Sequence, residues 1–239
     1  MTGEERTIDI RRAGDRMSTN TYWLNSQHSF SFGNQYDPAN THHGLLLVSN
    51  DDVFRAGTGF DTHPHRDMEI VTWVLEGELE HKDTTGHNGI IYPGLAQRMS
   101  AGRGIWHSEM NNSGDKDVRL VQMWVLPDTE SVDASYEQLD VSSELARGGL
   151  VPIASGRGHN AAIAIRQQGA VLWAGIITPG ATVSVPDAHF ANVYIARGGA
   201  TLDGETLGEG DAARLTAAGA PTLTADATSG AEVLIWEMA

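Results

Sequence analysis

Two pairs of potential metal ligands stand out in the sequence, and in each pair a single residue separates the two ligands. The first pair is His63 and His65, and the second pair is His107 and Glu109. In a β-strand, side chains at positions i and i+2 point to the same face, roughly 6.5–7 Å apart along the strand. Because neighbouring strands lie about 4.8 Å apart, two adjacent strands can direct three imidazoles and one carboxylate at a single point. We therefore predict a metal site inside a β-barrel.

The types of these side chains limit which metal can bind. The chain contains no cysteine, which excludes disulfides, thiolate nucleophiles and zinc–cysteine sites. Imidazoles and a carboxylate suit one divalent first-row transition metal, and iron, nickel, cobalt, copper, manganese and zinc all remain open. Four protein ligands would leave one or two coordination positions free. Free positions are typical of a site that binds or transforms a substrate rather than of a closed structural site.

Glu69 leaves the ligand set open. It follows His65 by four residues, so on a continuous strand it would face the same side as both histidines. Val71, Trp73 and Leu75 share that parity and would line the barrel interior. A carboxylate buried there without a partner is costly, so Glu69 is either an alternative fourth ligand or a neighbour that orients a ligand histidine. Further candidates for the pocket wall are Met99, Arg103 and Trp106.

Three other histidines are expected to have structural roles. His28 lies within an aromatic-rich stretch, residues 22–32, which we expect to pack as a flap against the barrel. His28 could reach a pocket, but a histidine satisfied by structural hydrogen bonds is the commoner case. His42 and His43 follow a turn marked by Asp-Pro and Asn, and we interpret both as exposed or capping residues.

Short strands separated by turn residues must position these side chains. The segments are rich in β-branched and aromatic residues, and no convincing 3.6-residue pattern interrupts them. The predicted strands are residues 8–13, 45–49, 53–56, 69–75, 78–81, 118–127, 161–166, 171–178, 191–196, 212–216 and 232–238. This organisation predicts an all-β sandwich or barrel fold.

The chain divides into two similar halves. Residues 128–148 are polar and poor in β-branched residues, so we interpret them as a connection between an N-terminal domain, 1–130, and a C-terminal domain, 131–239. Residues 194–198 resemble 73–77, and 209–215 resemble 92–99, which suggests duplication of one barrel. Aligning Gly198 with Gly77 places Ser184, Pro186 and Phe190 at the positions of His63, His65 and Glu69. We therefore expect the C-terminal barrel to be degenerate, without metal, and structural.

Charge and hydropathy limit the partners. The chain of 239 residues has 16 basic and 31 acidic side chains, a formal net charge of −15. Such a surface repels phosphate backbones, so we expect no direct binding of nucleic acid. Residues 1–6 lack the apolar core of a signal peptide, and no apolar run approaches the roughly 20 residues that span a bilayer. We expect a cytoplasmic protein that does not contact membranes.

These residues resemble the motifs of a known family. The spacing of Gly57, His63, His65, Glu69 and Gly77, followed by Pro93 and Gly94, resembles the cupin superfamily. The residues 63–69, 75–77, 99–105 and 107–109 look more specifically like the pirin family, and among pirins like the bacterial branch with quercetinase-active members. The second-motif histidine of general cupins is absent, and Gln97 stands nearby. This absence departs from general cupins and agrees with the pirin family.

The resemblance implies a bicupin, two jelly-roll β-barrels in tandem, with one metal in the N-terminal barrel. It makes His63, His65, His107 and Glu109 the ligands and places Glu69 beside them. It also implies quercetin 2,3-dioxygenase activity, in which a flavonol ring is opened with O2 and carbon monoxide is released. The metal would serve as Lewis acid and template, while Glu109 would be the catalytic residue that accepts the proton of the substrate hydroxyl.

The same resemblance implies a second hypothesis of another class. Some pirin-like proteins are metal-binding regulators that act through a protein partner without turnover. The acidic surface favours a protein partner over DNA but does not discriminate between the two hypotheses. A third possibility, isomerisation of a small polar substrate, would need a polar and basic pocket, of which the sequence gives little sign.

Overall fold

The computed structural model describes residues 5–239, and β-strands dominate it. The expectation about a leader segment therefore lies mostly outside the described residues. A 3-10 turn spans Ala13–Asp15 and a short helix, α1, spans Ser142–Leu145. Within residues 5–239, no helix is both long and apolar enough to cross a membrane.

The strands are numbered in chain order. In the first half they are β1 Thr7–Arg11, β2 Met17–Asn20, β3 Leu24–His28, β4 Leu46–Phe54, β5 Gly59–His65, β6 Glu69–Glu76, β7 Leu79–Asp83, β8 Asn88–Ile91, β9 Leu95–Ser100, β10 Ile105–Met110 and β11 Val118–Val125. In the second half they are β12 Ser135–Asp140, β13 Val151–Ser155, β14 Ile163–Ala164, β15 Ala170–Ile177, β16 Thr182–Ser184, β17 Phe190–Leu202, β18 Glu205–Gly208, β19 Ala212–Thr216, β20 Thr222–Ala225 and β21 Ala231–Met238.

The two halves repeat one strand order. The large sheet of the first half runs β12-β9-β6-β11-β4-β3-β2, and that of the second half runs β1-β19-β17-β21-β15-β13-β14. A four-stranded sheet, β5-β10-β7-β8, closes the first barrel. The duplication extends to the backbone, because Gly77 and Gly198 both adopt a positive φ, 76° and 72°. A Cβ at either glycine would lie within 2.7 Å of a backbone carbonyl oxygen, so the turn requires glycine at both places.

Each large sheet ends on a strand from the other half of the chain. β1 pairs with β19, so that Thr7 lies opposite Thr216, whereas β12 pairs with β9, so that Ser135 lies opposite Ser100. The sheets therefore do not follow the predicted division at residues 130 and 131. The stretch 128–148, interpreted as a simple connection, also contains β12 and α1. The signal for β12 was weak because its side chains are half-buried or exposed at the edge of a sheet.

The largest hydrophobic core lies between the two halves rather than inside one barrel. It joins Val71, Trp73 and Leu75 of β6 to residues of β15, β17 and β21. The indole nitrogen of Trp73 donates to the carboxylate of Glu232, at 2.8 Å. The prediction that Val71, Trp73 and Leu75 line the barrel interior is therefore wrong. Asp67, with a φ of 44°, lies in the turn between β5 and β6 and breaks the parity that a continuous strand would have kept.

A buried ion pair of the first domain lies beside this core and accepts a hydrogen bond from the second domain. Arg119 donates from Nε and Nη2 to the two oxygens of Asp51, at 3.0 and 2.8 Å, and the hydroxyl of Tyr194 donates to Asp51 at 2.6 Å. Burial alone would raise the pKa of Asp51, but the hydrogen bonds and charge of Arg119 lower it below its usual range. Asp51 is therefore an ionised residue that joins a strand of each domain.

Replacing Asp51 by alanine should destabilise the folded chain by about 3 kcal/mol, because it leaves Arg119 with a buried charge and a lost partner. The measurement is the free energy of unfolding from denaturant titration. Asp9→Ala is the control, since the pair of Asp9 with Arg11 is about half exposed on both sides; exposed pairs contribute less than about 1 kcal/mol. Equal losses in the two variants would contradict the role of Asp51.

Candidate metal centre

Two neighbouring antiparallel strands bring three of the predicted ligands together. In the pairing of β5 with β10, His63 lies opposite His107 and His65 lies opposite Ile105. The potential ligand atoms of His63, His65 and His107 all lie within 4.8 Å of one another. Their ring centroids are 4.4 to 5.0 Å apart. The i, i+2 spacing therefore produces the convergence expected from strand geometry.

A glycine makes the close approach of these strands possible. A Cβ built on Gly59 would lie 2.1 Å from the carbonyl oxygen of Glu109, a distance that no side chain can adopt. Gly59 begins β5 and pairs with Met110 at the end of β10. The histidine pair is thus held in register from the far end of the strands.

Glu109 lies beside the three imidazoles in a slightly different position. The register between β5 and β10 shifts between His107 and Glu109, so that Glu109 lies opposite Phe60. Its buried carboxylate accepts hydrogen bonds from the amide of Gln122 at 2.9 and 3.0 Å. A second group of potential ligands consists of Glu109, His107 and His81, whose ligand atoms also lie within 4.8 Å of one another. Its role as a ligand and as the catalytic residue stays a prediction.

The residues present fit a divalent metal. Nε2 of His107 is buried and has no hydrogen-bond partner within residues 5–239, an arrangement that is unfavourable unless another group binds there. Nδ1 of His63 donates to the carbonyl of Asp61 at 2.8 Å when its Nε2 carries the free lone pair. A metal-binding imidazole requires this division, with one ring nitrogen held by a hydrogen bond and the other free to bind the metal.

Two of the imidazoles are held neutral, the form that binds metal. Burial, followed by the charges of His107 and His63, lowers the pKa of His65 to about 4. Burial, followed by the charges of His63 and His81, lowers the pKa of His107 to about 3. Both rings therefore present lone pairs at neutral pH without first losing a proton.

Other predicted site residues lie away from the three imidazoles. Glu69 accepts hydrogen bonds from the hydroxyl of Ser100 and the backbone N–H of Arg166, at 2.8 and 3.1 Å, on the side that faces the second domain. Arg103 forms an exposed ion pair with Asp133. The pocket roles predicted for Glu69 and Arg103 are thus corrected, because one side chain is engaged between the domains and the other lies at the surface.

The other three candidates for the pocket, Trp73, Trp106 and Met99, lie in three different environments. Trp73 belongs to the core between the domains, and Trp106 is 52% exposed on the outer face of β10. Met99 is buried in a small cluster with Ile105, Ile70 and Ala101. Of the three, Met99 alone lies inside the first barrel, next to the strand that carries His107.

The aromatic neighbour that the sequence did not reveal is Trp124. Its ring lies 4.9 Å from that of His65, and its indole nitrogen donates to Gln122 at 3.1 Å. Trp124 lies at the end of a strand that reads as ordinary core, so its type gave no signal. His81 was also missed, although His81 and Asp83 repeat the i, i+2 spacing of the two predicted pairs directly after the Gly77 turn.

A cavity of about 240 Å³ adjoins the site. Phe60, whose ring lies 5.7 Å from that of His63, and Gln122, which binds Glu109, form its inner wall. The remaining lining residues are Thr19, Leu24, Ser26, His28, Phe32, Gly33, Asn34, Asn50 and Asp52. The prediction of a flap over residues 22–32 is wrong for Leu24–His28, which form β3 within the large sheet. The cavity opens from this segment towards the carboxylate beside the histidines.

The histidines outside the ligand set have identifiable partners. His28 lies between Thr19 Oγ1, at 2.8 Å from Nε2, and Asn50 Oδ1, at 3.0 Å from Nδ1, so it is held by structural hydrogen bonds and also lines the cavity. His42 is exposed, as expected. His43 is not: its Nε2 lies near the carbonyl oxygens of Ala191 and Leu215 in the second domain.

Comparisons with known proteins follow this geometry. A family model described as Pirin matches residues 10–125, and one described as Quercetinase C-terminal cupin domain matches residues 152–238. A Mycobacterium tuberculosis protein, provisionally named quercetin 2,3-dioxygenase, is 58% identical over 234 residues, which cover 97% of the chain and 95% of the relative. The chain belongs to the pirin family.

Solved structures agree with this membership. The pirin resembles YhhW from Escherichia coli, with a TM-score of 0.90 and 34% identity over 98% of each chain. It resembles the complex of bacterial pirin YhhW with nickel(II) with a TM-score of 0.89 and 33% identity, over 97% of this chain and 99% of that one. The predicted all-β bicupin, with two cupin domains in tandem, is confirmed. A nickel-bound pirin and the histidine cluster together support a divalent metal here.

Alanine at His63 or at His107 should abolish binding of one equivalent of divalent metal, since each substitution removes a nitrogen from the three-imidazole cluster. The measurement is metal content after loading and desalting, with folding checked by the thermal midpoint. His42→Ala is the matched control, because His42 is exposed and distant from the cluster in sequence. Full metal content in a folded His107→Ala protein would contradict this location.

Proposed function

We propose that this pirin is a metal-dependent dioxygenase that opens the ring of a flavonol with O2. The observation that carries the proposal is the adjacency of the three-imidazole cluster to an aromatic-walled cavity. An Escherichia coli relative named quercetin 2,3-dioxygenase, 48% identical over 131 residues covering 55% of this chain and 57% of the relative, supports the reaction class. The cavity, at about 240 Å³, is close to the lower end of the range for small-molecule pockets, about 300 Å³.

The ligands proposed for the metal are His63, His65, His107 and Glu109. Iron is the metal that we propose, with nickel, cobalt, copper, manganese and zinc as alternatives that the same donor set accepts. When bound, the metal would supply Lewis acidity, which makes a flavonol hydroxyl easier to deprotonate and the ring more electron-rich. Everything else in the mechanism depends on side chains of this chain.

Glu109 is the residue proposed to accept the hydroxyl proton. Its carboxylate is buried and has an oxygen within 4.8 Å of a ring nitrogen of His107. Gln122 donates to both of its oxygens, and the indole of Trp124 fixes the amide of Gln122 by donating to its carbonyl oxygen. This chain of hydrogen bonds aligns the carboxylate before substrate arrives, which is the usual requirement for efficient proton transfer.

The cavity walls are proposed to hold the flat aromatic substrate. Phe32, in the loop after β3, and Phe60, on β5, both line the cavity and offer ring surfaces for stacking. Asn50 and Ser26 supply polar groups that can bind the hydroxyls of a flavonol.

Metal-loaded protein incubated with quercetin under air should consume the flavonol absorbance, and Glu109→Gln should lower kcat at least 100-fold, the usual range for loss of a general base. The measurement is the rate of absorbance decrease together with metal content, so that loss of metal is separated from loss of the base. Glu78→Gln, on an exposed turn residue, is the control.

Absence of turnover with every one of iron, nickel, cobalt, copper and manganese would overturn the dioxygenase. It would leave the alternative function, a metal-binding regulator that acts through a protein partner.

Phe32→Ala should raise the KM for quercetin about 2- to 12-fold while leaving kcat within about twofold, because one stacking contact contributes about 0.5–1.5 kcal/mol. Steady-state kinetics at fixed O2 measure this. Tyr36→Ala, on the same loop but 74% exposed, provides the comparison and should leave KM unchanged. Equal KM values for the three proteins would place the substrate elsewhere.

A further inference from the structure

A second buried histidine stands behind the metal-facing His107. Nδ1 of His107 lies 3.4 Å from Nδ1 of His81, which is carried by the next strand of the sheet, β7. On its other side, Nε2 of His81 lies 3.0 Å from Oδ2 of Asp83. The side chains of His81 and Asp83 are both 0% exposed. Neither residue belongs to the predicted ligand set.

Hydrogen-bond direction in this row is determined at its Asp83 end. An ionised carboxylate can only accept, so Nε2 of His81 carries the hydrogen. The other nitrogen of a neutral His81 then carries a lone pair and accepts from Nδ1–H of His107. His107 is left with its lone pair on Nε2, which is the buried atom without a partner. The three residues therefore form a row in which each proton position follows from the previous one.

The carboxylate that starts the row is firmly placed. Its other oxygen, Oδ1, accepts from the backbone N–H of Thr85 at 2.8 Å, the hydroxyl of Thr85 at 2.6 Å and the N–H of His87 at 3.2 Å. Burial alone would raise the pKa of Asp83, but the hydrogen bonds from Thr85 and His81 lower it below its usual range. The hairpin between β7 and β8 thus holds an ionised acceptor in the barrel.

A tyrosine ring packed against His81 restricts the rotation of its imidazole. The ring of Tyr136, on β12, lies 4.7 Å from that of His81 and 5.2 Å from that of His87. An imidazole that is packed by a ring and bonded at both nitrogens has no alternative orientation of equal energy. Asp83 therefore acts on His107 through a rigid intermediate.

We propose that Asp83 and His81 are positioning residues that fix the tautomer and ring orientation of His107 and so set the affinity of the site for its metal. The inference rests on the metal site of the proposed function and extends it to a row of hydrogen bonds two residues deep. Outer partners of ligand histidines typically contribute 10- to 100-fold in metal affinity.

Asp83→Asn gives the sharpest test, because the amide keeps an acceptor for the Thr85 turn but presents N–H groups to His81. Nε2 of His81 must then accept, its proton moves to Nδ1, and His107 must accept at Nδ1 and carry its proton on Nε2. We expect the dissociation constant for nickel(II) or cobalt(II) to rise 10- to 100-fold, measured by chelator competition. Long-range 1H–15N NMR on the metal-free protein should show the His107 proton on Nδ1 in the wild type and on Nε2 in Asp83→Asn.

Variants of His81 separate positioning from packing. His81→Gln keeps one donor and one acceptor and should retain metal affinity within about tenfold, whereas His81→Leu keeps the bulk and should lose 10- to 100-fold. In the His81→Leu background, Asp83→Asn should add less than about twofold, because its effect is transmitted through the missing imidazole. His159→Gln in the second domain is the control.

Two results would overturn the proposal. If the His107 proton stays on Nδ1 and the affinity of folded Asp83→Asn equals that of the wild type, the row does not set the tautomer. If His81→Leu and His81→Gln both bind no metal at all while His63→Ala binds normally, His81 is a direct ligand in the second group with His107 and Glu109. Neither readout uses turnover, so failure of the dioxygenase assay leaves this test intact.

Discussion

The antiparallel register of β5 and β10 is the constraint on which the rest of the site depends. It sets His63 across from His107, and the shift one step later moves Glu109 out of line with the histidines and towards Gln122. β10 also pairs with β7 on its other side. One nitrogen of His107 therefore faces the metal site while the other, Nδ1, faces His81. Gly59 holds this arrangement in place because only a residue without a side chain permits the close approach.

The second domain supports the site without contributing a metal ligand to the groups described. On β11, Gln122 faces the barrel interior and contacts Glu109, while its neighbour Met123 lies in the core between the domains, where the indole of Trp236 contacts its sulfur. Strand β6 is anchored in the same way through Trp73 and Glu69. Burial of one face of each strand against a second sheet restrains the other face. The second domain therefore acts as a scaffold for the domain that contains the three-imidazole cluster.

Sequence alone predicted the fold and the convergence of the three imidazoles, because both follow from local periodicity. The i, i+2 spacing depends only on each strand being extended. Glu69 was misplaced because its parity with His65 holds only for a continuous strand, and the turn at Asp67 lies between them. His81 was missed because its importance comes from strand order across the sheet, which periodicity does not encode. β12 was missed because an edge strand buries too little to show an alternating pattern.

The pairing of β1 with a strand of the second half has a consequence for how the chain folds. Thr7–Arg11 pairs with Ala212–Thr216, so the two strands come together from distant parts of the sequence. Without this pairing, the second sheet lacks its edge strand and β1 has no neighbouring strand. Such non-local pairing slows folding and makes it cooperative across domains, because loop closure over nearly the whole chain precedes the contact that rewards it. The pairing of β1 with β19 therefore makes completion of the second sheet depend on contact between distant parts of the sequence.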